Sequence, residues 1–179
     1  MKKVQNSLKI TVVLAFLTAL SIILGKYLAI RGGDVMRFSL ENMPIIFAGM
    51  VFGPWAGVLV GAVADLIGCL MVGYTINPVV TLGAAMIGAI SGCYHFLTRK
   101  TKLSPLVSTV IVVGASHIVG SLIIKTIGLA AYYSMPFGIL LLWRLLNYAI
   151  VGALDGMVVY VLLNNKGVKM QLSHLTEQK

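Results

Sequence analysis

The chain of 179 residues is 59% hydrophobic and 11% charged, with a mean hydropathy of +0.97. An ordinary soluble domain carries roughly 25% charged residues, so a water-facing globular fold is excluded and the chain is an integral membrane protein. Its formal net charge of +9 would hint at nucleic acid in a soluble protein, but here most of the excess serves membrane orientation.

Met1 to Lys9 is a basic head, and the apolar run behind it predicts a retained first helix over residues 8–28. The run is too long for a signal peptide and no small-x-small cleavage site follows it. Residues 29–39 read as a polar loop containing Arg31, Asp34 and Arg37. Next comes a hairpin of two apolar runs, 44–51 and 56–72, split by Phe52-Gly53-Pro54-Trp55, a breaker cluster too short to be a linker. The second helix is short and partly interrupted by Pro44. Gly53, Gly57, Gly61 and Asp65 recur every four residues. Small residues on one face let helices approach closely in lipid, which turns Asp65 toward protein, away from acyl chains where a carboxylate is costly.

A turn at residues 73–75 leads into a fourth helix over 76–97, and Arg99, Lys100 and Lys102 form a basic loop. The fifth helix covers 106–129, with Tyr132, Tyr133, Ser134 and Met135 in the loop behind it; the sixth covers 137–163. Spanning a core of ~30 Å takes about 20 helical residues, which every run but the second supplies. The runs do not alternate apolar and polar, so a β-barrel is excluded. The expected fold is all-α: a six-helix transmembrane bundle over residues 1–165 that binds the substrate. Residues 166–179 are expected as a mobile polar tail outside the bundle. Cys69 and Cys93 share no CxxC motif and lie in apolar runs, so they read as small buried residues without a disulfide.

With six helices, Lys2, Lys3, Lys9, Arg99, Lys100, Lys102, Lys166, Lys169 and Lys179 all fall on one side. By the positive-inside tendency that side is cytoplasmic, with both termini inside. The remaining cations, Lys26, Arg31, Arg37, Lys125 and Arg144, map to the outer loops or outer helix halves. Only Asp34, Glu41 and Asp65 stand near enough to oppose them. Arg144 lies about 10 Å into the sixth helix by the helical rise. Cations at that depth point to an outward cavity that attracts an anion, against the plainer possibility that they pair internally or snorkel.

Polar residues gather around that cavity. His117, Ser121 and Lys125 fall every four residues along one stripe of the fifth helix, and Arg144, Asn147 and Tyr148 share a face of the sixth beside Trp143. Asn77 caps the fourth helix. Tyr132 joins the outer aromatics, which also suit an interfacial belt. Cations, amides and aromatic surfaces together suit a flat heterocycle with acidic groups. Asp155 lies on the Arg144 face but roughly 16 Å deeper, a structural or coupling position. No GxxxxGK[ST] loop is present, so this chain is not expected to hydrolyse ATP by that route. No HExxH or cysteine cluster points to a metal. Ser116 and His117 are adjacent on one helix and point apart, which argues against a nucleophile–base pair and a catalytic role.

Arg37-Phe38-Ser39, Met43 through Gly49, Phe52-Gly53-Pro54, Gly61 through Gly68, Asn77-Pro78 and Thr81-Leu82 resemble the substrate-binding S components of energy-coupling-factor (ECF) vitamin transporters. The likeness is greatest to the folate-specific kind. The resemblance implies high-affinity folate binding from outside and delivery across the membrane by a toppling S component. Energy would come from an ECF transmembrane coupling subunit and two ATP-binding subunits, with no cofactor on this chain. It implies a coupling face matched by Ala15 and Ala19 on the first helix, where small residues at that spacing also suit packing within the bundle. For a folate-like ligand, Arg37, Lys125 and Arg144 would meet its acidic tail and ring oxygens. Asn77 and Asn147 would match the mixed edge of a pterin, Trp143, Tyr148 or Tyr132 would stack on it, and Asp65 or Glu41 would accept from its amine. Alternatives are an S component for another heterocyclic vitamin, an ion-coupled carrier and, third, an intramembrane enzyme.

Overall fold

The computed structural model describes residues 2–32, 36–101, 103–133 and 136–176. The first span is α1, Lys2–Ile22, prolonged by a π-helical segment, Ile23–Tyr27. The loop expected behind it is instead a small antiparallel ribbon, β1 (Ile30–Gly32) with β2 (Met36–Phe38), in which Arg31 stands opposite Arg37.

Helix α2, Asn42–Phe52, begins before Pro44 rather than being interrupted by it. In the first turn a missing N–H leaves no helical bond unmade, so proline there is tolerated. At 11 residues the helix reaches about 16 Å, roughly half the hydrocarbon core. Gly53 ends it at φ 96° and Pro54 opens α3, Pro54–Met71. A positive φ costs glycine little, and proline is pre-set for the first helical position, so the breaker cluster makes a tight reversal.

Helix α4, Pro78–Ser91, packs against α3 through the small residues. A Cβ on Gly57 would lie 2.3 Å from the Gly88 carbonyl oxygen, and one on Gly61 the same distance from that of Ala84. The glycine face turns toward protein as expected. Gly53, however, meets nothing within 4 Å and serves only the turn. A break at Gly92-Cys93 separates α4 from α5, Tyr94–Thr101, so residues 99–101, expected in a loop, extend a helix. Cys69 is buried and Cys93 exposed, both as free thiols.

The fifth apolar run is α6 (Pro105–Ser116), a π-helical stretch (His117–Ile124) and α7 (Lys125–Tyr133). Tyr132 and Tyr133 therefore end a helix; Ser134 and Met135 lie outside the described residues. Helix α8, Phe137–Asn164, matches the sixth run almost to the residue. The segment expected to be mobile forms α9, Lys166–Thr176, whose Val168 and Leu172 pack on the core. Two apolar residues four apart make one helical face, enough to hold a short amphipathic helix against the bundle.

Among the described residues five helices are long and apolar enough to cross a membrane: Ser7–Tyr27, Pro54–Met71, Pro78–Thr98, Pro105–Tyr132 and Phe137–Asn164. Asn42–Phe52 is apolar but shorter. The core holds Ile45, Ile46 and Met50 of α2 against Val60, Ile87, Val112 and Val159. The central helix is thus the short one, and its start carries the polar site.

Candidate functional site: a cationic cluster at the ribbon end of the bundle

Glu41, just ahead of α2, collects two cations. Lys125 Nζ donates to its Oε1 at 3.2 Å and Arg37 Nη2 to its Oε2 at 3.2 Å. Burial alone would raise the Glu41 carboxyl, but Lys125, Arg37 and Lys26 outweigh it and hold it at about 2. Lys125 is 4% exposed, a depth at which a lysine needs a carboxylate. The first π-helical segment supplies a further acceptor, since Arg37 also donates to the Gly25 carbonyl.

Lys26, Glu41, Asp65 and Lys125 line one small cavity together with Ser21 and Ala84. Its open space, about 260 Å³, includes the mouth and the solvent beyond it. Asp65 accepts from Thr81 Oγ1 at 2.6 Å, which holds one carboxylate oxygen toward α4. Lys26 lies 5.7 Å from the Tyr74 ring centroid and 3.7 Å from Cys69 Sγ.

A second group of polar side chains is joined to the first through Arg37. Arg144 donates from Nη2 to the Ser121 carbonyl at 2.8 Å and to the Tyr148 hydroxyl at 3.0 Å, with the guanidinium 5.1 Å from that ring's centroid. Asn147 Nδ2 donates to the Arg37 carbonyl at 2.8 Å, tying α8 to the ribbon. Asn42, 1% exposed, donates to Ser121 Oγ at 3.4 Å. Four buried atoms of this group have no hydrogen-bond partner: Arg37 Nε, Arg144 Nε, Asn42 Oδ1 and Asn147 Oδ1. Native proteins pair the great majority of buried polar atoms, so two donors and two acceptors left open in this group are unusual.

His117 does not line the cavity. It sits beneath this group, 4% exposed, with Nε2 3.0 Å from Asp155 Oδ2, Nδ1 3.5 Å from Ser121 Oγ and its ring 5.4 Å from that of Tyr148. Asn77 caps α4: its oxygen accepts from Val79 and Val80, and its Nδ2 donates to the Gly128 carbonyl at 2.9 Å. Both ends of that amide already hold protein. Trp143 and Tyr132 are 41% and 48% exposed and do not line the cavity, so Tyr148 is the aromatic that stands within the polar group. Ala15 and Ala19 are exposed on the side of α1. Among the described residues no three His, Cys, Asp or Glu side chains gather as a metal site.

Residues 5–170 match the family described as the ECF-type riboflavin transporter, S component. The chain is an S component. A folate transporter, FolT, of Clostridium novyi (strain NT) is 25% identical over 167 residues, covering 89% of this chain and 88% of that one. The crystal structure of a FolT bound with folic acid superposes with a TM-score of 0.69 at 22% identity, over 85% of this chain and 90% of that one. The S component for biotin from an ECF-type ABC transporter gives a TM-score of 0.66 at 20% identity, over 93% and 96%. Membership makes the chain a multi-pass membrane subunit of a vitamin transporter rather than an enzyme.

Sequence reasoning undervalued Asn42 and Lys26 and kept Asp155 apart from His117. The available signal was general: a carboxylate in an apolar span needs a partner on another helix, and His117 is the histidine of the fifth run.

Proposed function

We propose that this S component binds folate at the ribbon-end cluster from outside the cell and delivers it as part of an ATP-driven ECF transporter. The observation that carries the reading is a charge count. Lys26, Arg37, Lys125 and Arg144 bring four cations to the cluster against the carboxylates of Glu41 and Asp65 and, beneath them, Asp155, which leaves the site net positive. Folate carries two carboxylates, biotin one, and riboflavin none. The open amide oxygens of Asn42 and Asn147 and the open Nε groups of Arg37 and Arg144 suit the mixed edge of a pterin, and Tyr148 offers a ring to stack on it. The FolT relative of Clostridium novyi supports the same ligand. The family description names riboflavin, which makes that vitamin the second reading, but it would leave the excess positive charge without a counter-charge.

In this reading Asn42–Phe52 joins the five long spans as a sixth helix, and both termini face the cytoplasm, as the basic residues of the termini and of 99–102 favour. The exposed Ala15 and Ala19 present a small-residue face to a transmembrane coupling subunit. Two ATP-binding subunits hydrolyse the nucleotide, and this chain carries no cofactor of its own. Competition for the detergent-purified chain tests the ligand: radiolabelled folic acid is retained and is displaced by unlabelled folic acid but not by riboflavin or biotin. Retention of radiolabelled riboflavin with no retention of radiolabelled folic acid replaces folate with the second reading.

A further inference from the structure

We propose that Asn42 is a specificity residue of the site, and that Asp155 and His117 are positioning residues that turn its side-chain oxygen toward the ligand. The proposal rests on the ligand-binding reading above and adds a relay beneath it. The relay crosses three elements: Asn42 at the start of α2, His117 and Ser121 on the π-helical stretch, and Asp155 on α8. Its contacts are Asn42 Nδ2 to Ser121 Oγ at 3.4 Å, Ser121 Oγ to His117 Nδ1 at 3.5 Å, and His117 Nε2 to Asp155 Oδ2 at 3.0 Å. All four side chains are buried, none more than 4% exposed.

Hydrogen-bond polarity can run through the relay in one consistent direction. A carboxylate accepts only, so the proton of a neutral His117 sits on Nε2 and points at Asp155. Nδ1 is then an acceptor and takes the Ser121 hydroxyl proton. The Ser121 oxygen in turn accepts from the Asn42 amide N–H. An amide whose nitrogen is held this way must turn its oxygen away from the serine, and Asn42 Oδ1 is buried without a partner. Asp155 thus fixes, through a tautomer and a hydroxyl, which edge of Asn42 is left for a ligand donor. Asp155→Asn can reverse the polarity: its amide N–H would face Nε2, Nδ1–H would donate to Ser121, and Ser121 would take the Asn42 oxygen.

The test is a double-mutant cycle between Asn42 and Asp155, read as folic acid affinity of the full purified chain. Asn42→Ala and Asp155→Asn are each expected to weaken binding about ten-fold, the worth of one hydrogen bond. The double variant is expected to be no weaker than either single one. Additive losses, or wild-type affinity in either single variant, overturn the proposal. If Asp155→Asn does not fold, Ser121→Ala takes its place in the cycle with the same expectation. Should the wild-type chain retain neither folic acid, riboflavin nor biotin, the ligand reading fails by itself and a ligand-free measurement decides the relay. The Asn42 side-chain amide resonance, assigned by its loss in Asn42→Ala, is expected to shift in Asp155→Asn or Ser121→Ala; an unmoved resonance overturns the relay.

Discussion

Lys125 and Glu41, 84 residues apart in the chain, meet at 3.2 Å in the middle of the cluster. The same carboxylate also holds Arg37, so two cations, one from β2 and one from α7, share one carboxyl group. Removing one member leaves a charge in surroundings that solvate it poorly. Lys125→Met is therefore expected to destabilise the purified protein by about 1–3 kcal/mol, measured by thermal unfolding in detergent. Lys125→Met combined with Glu41→Gln is expected to recover part of that loss. A double variant less stable than the single one by the full cost of Glu41→Gln contradicts the pairing.

The depressed Glu41 pKa gives a stability change of definite sign. Its folded value of about 2 lies below the ordinary carboxylate value of 4.5, so the pairing contributes fully above the unfolded value. The contribution is lost as pH falls from about 4.5 toward 2. Unfolding followed across that range is expected to show a steeper acid loss in wild type than in Glu41→Gln. Equal slopes contradict the pairing.

Helix packing makes its own prediction. A Cβ on Gly57 would fall 2.3 Å from the Gly88 carbonyl oxygen, and one on Gly88 would fall 2.1 Å from Gly57 backbone. Backbone cannot yield as a flexible side chain does, so Gly57→Ala is expected to cost about 1–3 kcal/mol by overpacking. Gly53→Ala meets no neighbour and is expected to cost only the strain of a positive φ. Comparable small losses at both positions contradict close packing of α3 on α4.

Much of this arrangement was legible in the sequence because it depends on local rules. Spans follow from apolar length, the reversal at Gly53-Pro54 from turn chemistry, and the cap at Asn77 from side-chain oxygens that reach the next N–H groups. The glycine stripe announced a close helix contact, though not that Gly88 and Ala84 would be its other half. What escaped was partner choice across distance. Periodicity places Lys125 and His117 on one stripe but cannot say that one finds Glu41 and the other Asp155. The π-helical stretches at Ile23–Tyr27 and His117–Ile124 were invisible for a related reason: a widened turn leaves an apolar pattern almost unchanged. The last helix was missed because Val168 and Leu172 are too few to stand out in a polar segment.

The exposed pair on α1 separates binding from delivery. Ala15→Leu with Ala19→Leu enlarges an exposed face of α1. Folic acid affinity of the purified chain is expected to remain that of wild type. Uptake into vesicles reconstituted with the coupling and ATP-binding subunits is expected to fall at least ten-fold. Uptake by the S component alone, driven by an ion gradient, contradicts the assignment of energy to partner subunits.

Calorimetric titration of folic acid into the detergent-purified wild-type chain and into Arg144→Ala tests the central claim most directly, because Arg144 is the cation of the cluster whose bonds go to a carbonyl and a phenol rather than to a carboxylate. The account predicts saturable one-to-one binding to wild type and a ten- to hundred-fold weaker affinity in the variant, about 1.5–3 kcal/mol for a charged hydrogen-bonding group. Equal affinities in the two proteins, or no heat of binding in wild type, would contradict it.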